Sequence, residues 1–139
     1  MGNFFRGSIG KSYVIQAVIL LLFLGPQSNE WKAPNDADKL VNPYQVNTEI
    51  LGKGEKTYKQ LCSVCHGNKG KGDGVAGSAL NPAPSNFSKE RVQSQSDGAI
   101  FWKLTNGKTP MAGYKDILTE EQRWQLVTYI RELGKIKKK

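Results

Sequence analysis

Three stretches of the chain place apolar side chains at helical spacing, and one long stretch between them does not. Leu51, Gly54, Tyr58 and Leu61 fall at i, i+3, i+7 and i+10, one face of a helix that Asn47 or Thr48 can cap. Gly54 on that face lowers helix propensity by about 1 kcal/mol relative to Ala. Close approach of a second helix would account for it. Ile100, Phe101 and Leu104 mark another helix, starting at Ser96 with Asp97 in its first turn and ending at Asn106-Gly107. Leu126, Val127, Ile130 and Leu133 form the inward face of a third. Thr119 and Gln122 open it as a capping box, and Gly134 stands at the usual stop position. No run of alternating apolar residues predicts a sheet, so the pattern is all-α. Residues 67–95, with Gly67, Gly70, Gly72, Gly74 and Gly77 followed by Pro82 and Pro84, read as one long loop. A loop of that length in a small domain is usually wrapped round something.

The N-terminal 46 residues follow a different pattern. Tyr13 to Leu24 is an apolar run of 12 residues, preceded by Arg6 and Lys11 and closed by Gly25-Pro26. A spanning helix takes about 20 apolar residues, and a signal-peptide core about 7–15. Residues 1–28 therefore read as an export signal, which places the protein in the periplasm. No A-x-A-like triplet follows Leu24, so an uncleaved inner-membrane anchor is the alternative. No Cys follows the run to carry a lipid. Residues 29–44, with Pro34, Pro43, Trp31, Leu40 and Tyr44, read as an extended lead-in, laid on the surface of the domain or free as a linker. Residues 45–134 then form the folded domain and 135–139 a basic tail.

The charge adds little. The chain carries +8 in 139 residues. Without residues 1–28 the balance is +6, and without Lys135, Lys137, Lys138 and Lys139 it is +2. Basicity thus sits in the tail. No aromatic residues interleave with a basic stripe, so a nucleic-acid surface is not indicated.

The chemistry sits in five consecutive residues, Cys62-Ser63-Val64-Cys65-His66. Two thiols at this spacing on a helical turn can each add to a vinyl group of one porphyrin, and the adjacent His is placed to ligate its iron. The chain holds two Cys and one His in all, and every one lies in this motif. A thiol-redox pair would normally follow a strand in a βαβ unit, which the pattern does not offer. A zinc site would lack its fourth ligand. The reading is one covalent haem c, with His66 as the first axial ligand. Besides the initiator, Met111 is the remaining Met, in the irregular loop Lys108-Thr109-Pro110-Met111-Ala112-Gly113-Tyr114. It is the candidate second ligand. Packing as a plain core Met is the alternative, with the iron then five-coordinate or bound by Lys.

On the runs CSVCHGNKGKGDG, NGKTPMAGY and TEEQRWQLVTYIREL the chain resembles a class I cytochrome c over about residues 45–134. The resemblance implies an all-α fold of three or more helices around one haem, with N- and C-terminal helices crossing. Gly54 and Tyr58 should then meet Leu126, Tyr129 and Ile130. It implies that a loop proline, Pro82 or Pro84, offers its carbonyl to His66. It also implies a pocket lined by Leu80, Phe87, Ile100, Phe101, Leu104, Tyr114 and Leu118. The implied activity is one-electron transfer rather than catalysis, at a haem edge near Cys62, Cys65 and the Met111 loop. Lys69, Lys71, Lys108 and Lys115 would steer an acidic partner there. The lead-in is more weakly similar to monohaem cytochromes of bacterial respiratory chains, including monohaem subunits of alternative complex III. That likeness implies a quinol-oxidising complex and a haem-copper oxidase as donor and acceptor. It also raises a second expectation, a haem subunit fixed within a membrane complex.

Overall fold

A computed structural model describes residues 30–135. Residues 1–28, expected to be an export signal or anchor, and most of the basic tail lie outside the described residues. From Lys32 onward the chain forms one unit. Five α-helices are present among the described residues: α1 (Thr48–Leu61), α2 (Ser63–His66), α3 (Glu90–Gln93), α4 (Asp97–Asn106) and α5 (Glu120–Lys135). Single 3-10 turns occur at Asn35–Lys39 and Gly77–Ala79. No β-strand occurs among the described residues; a lone bridge pairs Lys108 with Met111. None of these helices is long and apolar enough to cross a membrane.

The frame is the crossing of α1 on α5. Asn47 caps α1, its side chain accepting from the Ile50 N–H at 2.9 Å. The buried stripe of α1 is Ile50, Gly54, Thr57 and Tyr58, turned slightly from the expected face, so that Leu51 and Leu61 are half-buried. Gly54 is where the helices touch. A Cβ there would run into the Gln125 carbonyl and lie 3.0 Å from Tyr129 Cβ. Tyr58 packs on Tyr129 with ring centroids 5.2 Å apart, and it is fully buried together with Leu126 and Val127. The crossing and the role of Gly54 match what the resemblance implied.

Helix α5 opens with the reciprocal bonds of a capping box. The Thr119 N–H donates to Gln122 Oε1 at 2.9 Å, and the Gln122 N–H to Thr119 Oγ1 at 3.2 Å. The expected stop at Gly134 is not the observed role. The helix runs on to Lys135, and Gly134 instead makes room for the Gln93 side chain from α3. Ser96 caps α4 through the Ala99 N–H at 3.0 Å, and Gly107 ends it at φ +66°, as the sequence predicts.

The second half of the lead-in, residues 37–44, is packed on the helices. Ala37 is buried, its carbonyl lying against Gly98 at the start of α4. Ser96 donates to Asp38, and Asn42 Nδ2 donates to Thr128 Oγ1 of α5 at 3.0 Å.

Candidate haem site

Helix α1 ends at Cys62, whose φ of −111° breaks the helical line and starts the short turn α2. The N–H groups of Cys65 and His66 both donate back to the Cys62 carbonyl, at 3.2 and 2.8 Å. The motif is therefore a single helical turn carrying both thiols and the imidazole. Gly67 closes it at φ +76°, a conformation that strains any residue with a Cβ. The chain then doubles back, and its amides satisfy the carbonyls the turn leaves open. Gly72 donates to His66 at 2.8 Å, Gly74 to Cys65 at 3.1 Å and Ala76 to Val64 at 2.9 Å. Tyr58 Oη adds a bond to the Gly67 carbonyl at 2.6 Å, tying the turn to the α1–α5 frame.

His66 is held on two sides. Its Nδ1 lies 3.1 Å from the Ser85 carbonyl, and its ring stacks on Phe87 at 4.4 Å between centroids and 19° between planes. A carbonyl can only accept, so Nδ1 carries the proton and Nε2 keeps its lone pair for a metal. Burial lowers the His66 pKa, although the Ser85 bond opposes this, and favours the neutral, ligating form. The Ser85 acceptor corrects the sequence expectation: neither the Pro82 nor the Pro84 carbonyl takes this bond. Pro84 is half-buried beside Ser85 and Pro82 is exposed. Ser85 follows Pro84 directly, and nothing in the sequence distinguishes neighbouring carbonyls in an irregular loop.

Cys62 and Cys65 are unpaired, Cys62 buried and Cys65 half-buried. Burial, reinforced by Cys65, pushes the Cys62 thiol up to about 12. A thiol this reluctant to ionise is a poor nucleophile for disulfide exchange. Among the described residues no cluster of three Cys, His, Asp or Glu could hold a metal ion.

Cys62 belongs to the central cluster with Phe87, Ile100, Phe101, Leu104 and Leu118, and Met111 and Tyr114 pack against it. Tyr114 Oη donates to the Leu61 carbonyl at 3.4 Å. Leu80 is half-buried in the returning loop. Phe101 also stacks on Trp124 at 4.0 Å, so part of the expected pocket is shared with the plain core. The Met111 loop is pinned to α4, where Tyr114 and Lys115 N–H groups donate to the Leu104 and Thr105 carbonyls at 2.9 and 3.2 Å.

The donor set fits a covalently attached haem: two unpaired thiols on one turn, an imidazole with a free Nε2, and a thioether packed against the same apolar cluster. Helix α3 and its Gln93 were invisible in the residue pattern. Gln93 Nε2 donates to the Phe87 carbonyl at 2.7 Å and to the Ile130 carbonyl at 3.2 Å. Arg131 completes the wall, its Nε 2.7 Å from Asp97 Oδ1 and its Nη1 2.9 Å from the Gln93 carbonyl.

A helical shell around a single such turn defines a monohaem c-type cytochrome, with haem c as its covalent cofactor and electron transfer as its business. The family model described as cytochrome c oxidase, cbb3-type, subunit III matches residues 50–130, more than half of the chain. The chain belongs to that family of class I c-type cytochrome domains. It is also similar to a chain of the reducing HAO-like protein complex of Kuenenia stuttgartiensis, at 27% identity and a TM-score of 0.59. That match covers 66% of this chain and 46% of the other, so this chain spans about half the length of its structural neighbour. No curated protein matches the sequence.

Proposed function

We propose that the chain is a one-electron carrier with His66 and Met111 as axial ligands, working outside the cytoplasm in a bacterial respiratory chain. The observation that carries this reading is the paired anchoring of the two candidate ligands. His66 is held by Ser85 and Phe87, while the Met111 loop is held by the α4 carbonyls. When bound, haem c supplies reversible one-electron exchange at its iron. His66 offers Nε2 from a ring that cannot easily turn. Met111 offers a soft thioether, which favours ferrous iron and raises the potential. Two ligands fixed by backbone bonds suit a carrier, in which little moves between oxidation states. A thiol enzyme is disfavoured by the buried Cys62, and a peroxidase by a filled sixth position.

Lys69, Lys71, Lys108 and Lys115 are exposed in the two loops that follow the attachment turn and α4. Val64 and Val75 are exposed near that turn. Exposed lysines on these two loops suit a transient acidic partner, a quinol-oxidising complex on the donor side and a haem-copper oxidase on the acceptor side. The apolar segment 13–24 supports export to the periplasm, with or without retention at the membrane. A second reading, a subunit fixed in a membrane complex, is favoured by the lead-in packed on α4 and α5 and by a structural neighbour that belongs to a complex. Gel filtration of native material separates the two, since a carrier elutes free and a subunit elutes with its complex.

Met111→Ala tests the ligand assignment. The variant should lose the long-wavelength ferric charge-transfer band and bind imidazole readily. An unchanged spectrum contradicts the assignment.

A further inference from the structure

A guanidinium sits where the apolar stripe of α5 begins. Arg123 is 8% exposed, one turn before Val127, with Trp124 beside it. Its Nη1 donates to the Lys115 carbonyl at 3.1 Å and to the Leu118 carbonyl at 2.7 Å. Its Nε has no hydrogen-bond partner among the described residues, and none of the ion pairs between them includes it. The positive charge rests instead on those two carbonyls and on the face of Phe101, 5.2 Å from the ring centroid. A buried cation with no carboxylate partner carries a desolvation cost that these contacts must offset.

The two carbonyls lie in the segment that returns from Met111 to α5. The outgoing half of that loop is fastened to α4 by Tyr114 and Lys115 N–H groups. Arg123 fastens the other half from the opposite side, binding Lys115 again through its carbonyl. The loop that presents Met111 is thereby held between α4 and α5, and Arg123 is its side-chain bond to α5 outside the capping box.

We propose that Arg123 is a positioning residue for the second axial ligand: it clamps residues 115–118 so that Met111 stays on the iron and exogenous ligands stay off. The proposal rests on Met111 as ligand. It assigns Arg123 a consequence separate from stability, because the clamp acts on the loop and not on the α1–α5 crossing.

The test compares ferric holoprotein of the full chain with Arg123→Gln, Arg123→Lys and Asn47→Ala, using imidazole as the probe. Arg123→Gln should bind imidazole about tenfold or more tightly and show a weakened charge-transfer band, as expected when the two guanidinium bonds to Lys115 and Leu118 are lost or weakened. Arg123→Lys, which keeps the charge without the fork, should shift affinity in the same direction by less. Asn47→Ala removes the α1 cap and should lower thermal stability with imidazole affinity unchanged. If Arg123→Gln does not accumulate, Arg123→Lys decides alone. Wild-type affinity in the Arg123 variants overturns the clamp, as does an equal rise in Asn47→Ala, which would make ligand access a readout of stability. If Met111→Ala in the same series keeps the wild-type band and affinity, the ligand assignment fails instead, and the two failures are told apart.

Discussion

The α1–α5 crossing and the two loops beside His66 and Met111 are built on different principles. The crossing is side chain on side chain: Tyr58, Leu126 and Val127 are fully buried, and Gly54 admits the Gln125 backbone. The loops are fixed chiefly by hydrogen bonds to backbone atoms, from His66 to Ser85, from Gln93 to Phe87 and from Arg123 to Lys115 and Leu118. Apolar packing is non-directional and tolerates small shifts, whereas a hydrogen bond fixes an atom to a few tenths of an ångström. The frame therefore supplies stability, and the loops supply the orientation of the candidate ligands. Changes in the first should read out in melting, and changes in the second in ligand binding and spectra.

Gly54→Val should break the frame most severely. The new side chain has no room against the Gln125 carbonyl, and a loss of about 3 kcal/mol is expected from overpacking, measurable by denaturant unfolding. An unchanged midpoint would mean that the helices cross elsewhere. Tyr58→Phe probes a residue of the frame that bonds directly to the attachment turn. It removes the bond to the Gly67 carbonyl and should cost about 1 kcal/mol at neutral pH. Burial, with Cys62 nearby, raises the Tyr58 pKa above the ordinary phenol value of about 10. The folded state thus holds this proton more tightly than the unfolded chain. That contribution is complete below about pH 10 and is lost as pH rises through the folded value. Tyr58→Phe should flatten the alkaline part of the stability curve, and a slope identical to the parent would remove Tyr58 as its source. Gln122→Ala, which takes away half of the capping box, should cost least, about 0.5–1 kcal/mol, with the haem spectrum untouched.

The same division decides what the sequence could convey. The bounds of α4, both its caps and the capping box of α5 follow from side-chain types at fixed offsets, and they stand where the pattern put them. So does the attachment turn, because Cys62, Cys65 and His66 are adjacent. Ser85 was not readable, since choosing among neighbouring carbonyls requires the path of the loop. Gly134 was misread for a related reason: a glycine near a helix end looks the same whether it stops the helix or admits Gln93. Arg123 left a faint signal, a cation on the buried stripe of α5, but its partners lie on another loop. Helix α3 has one buried apolar residue, Val92, too few for any periodicity to register.

The most direct test of the central claim is the visible spectrum of the purified chain, oxidised and reduced, with a pyridine haemochrome after denaturation. If Cys62 and Cys65 carry one haem whose iron His66 holds, the pigment stays with the denatured chain and the haemochrome reports two saturated vinyl groups. A colourless protein, or a haem extracted by acidic organic solvent, contradicts it.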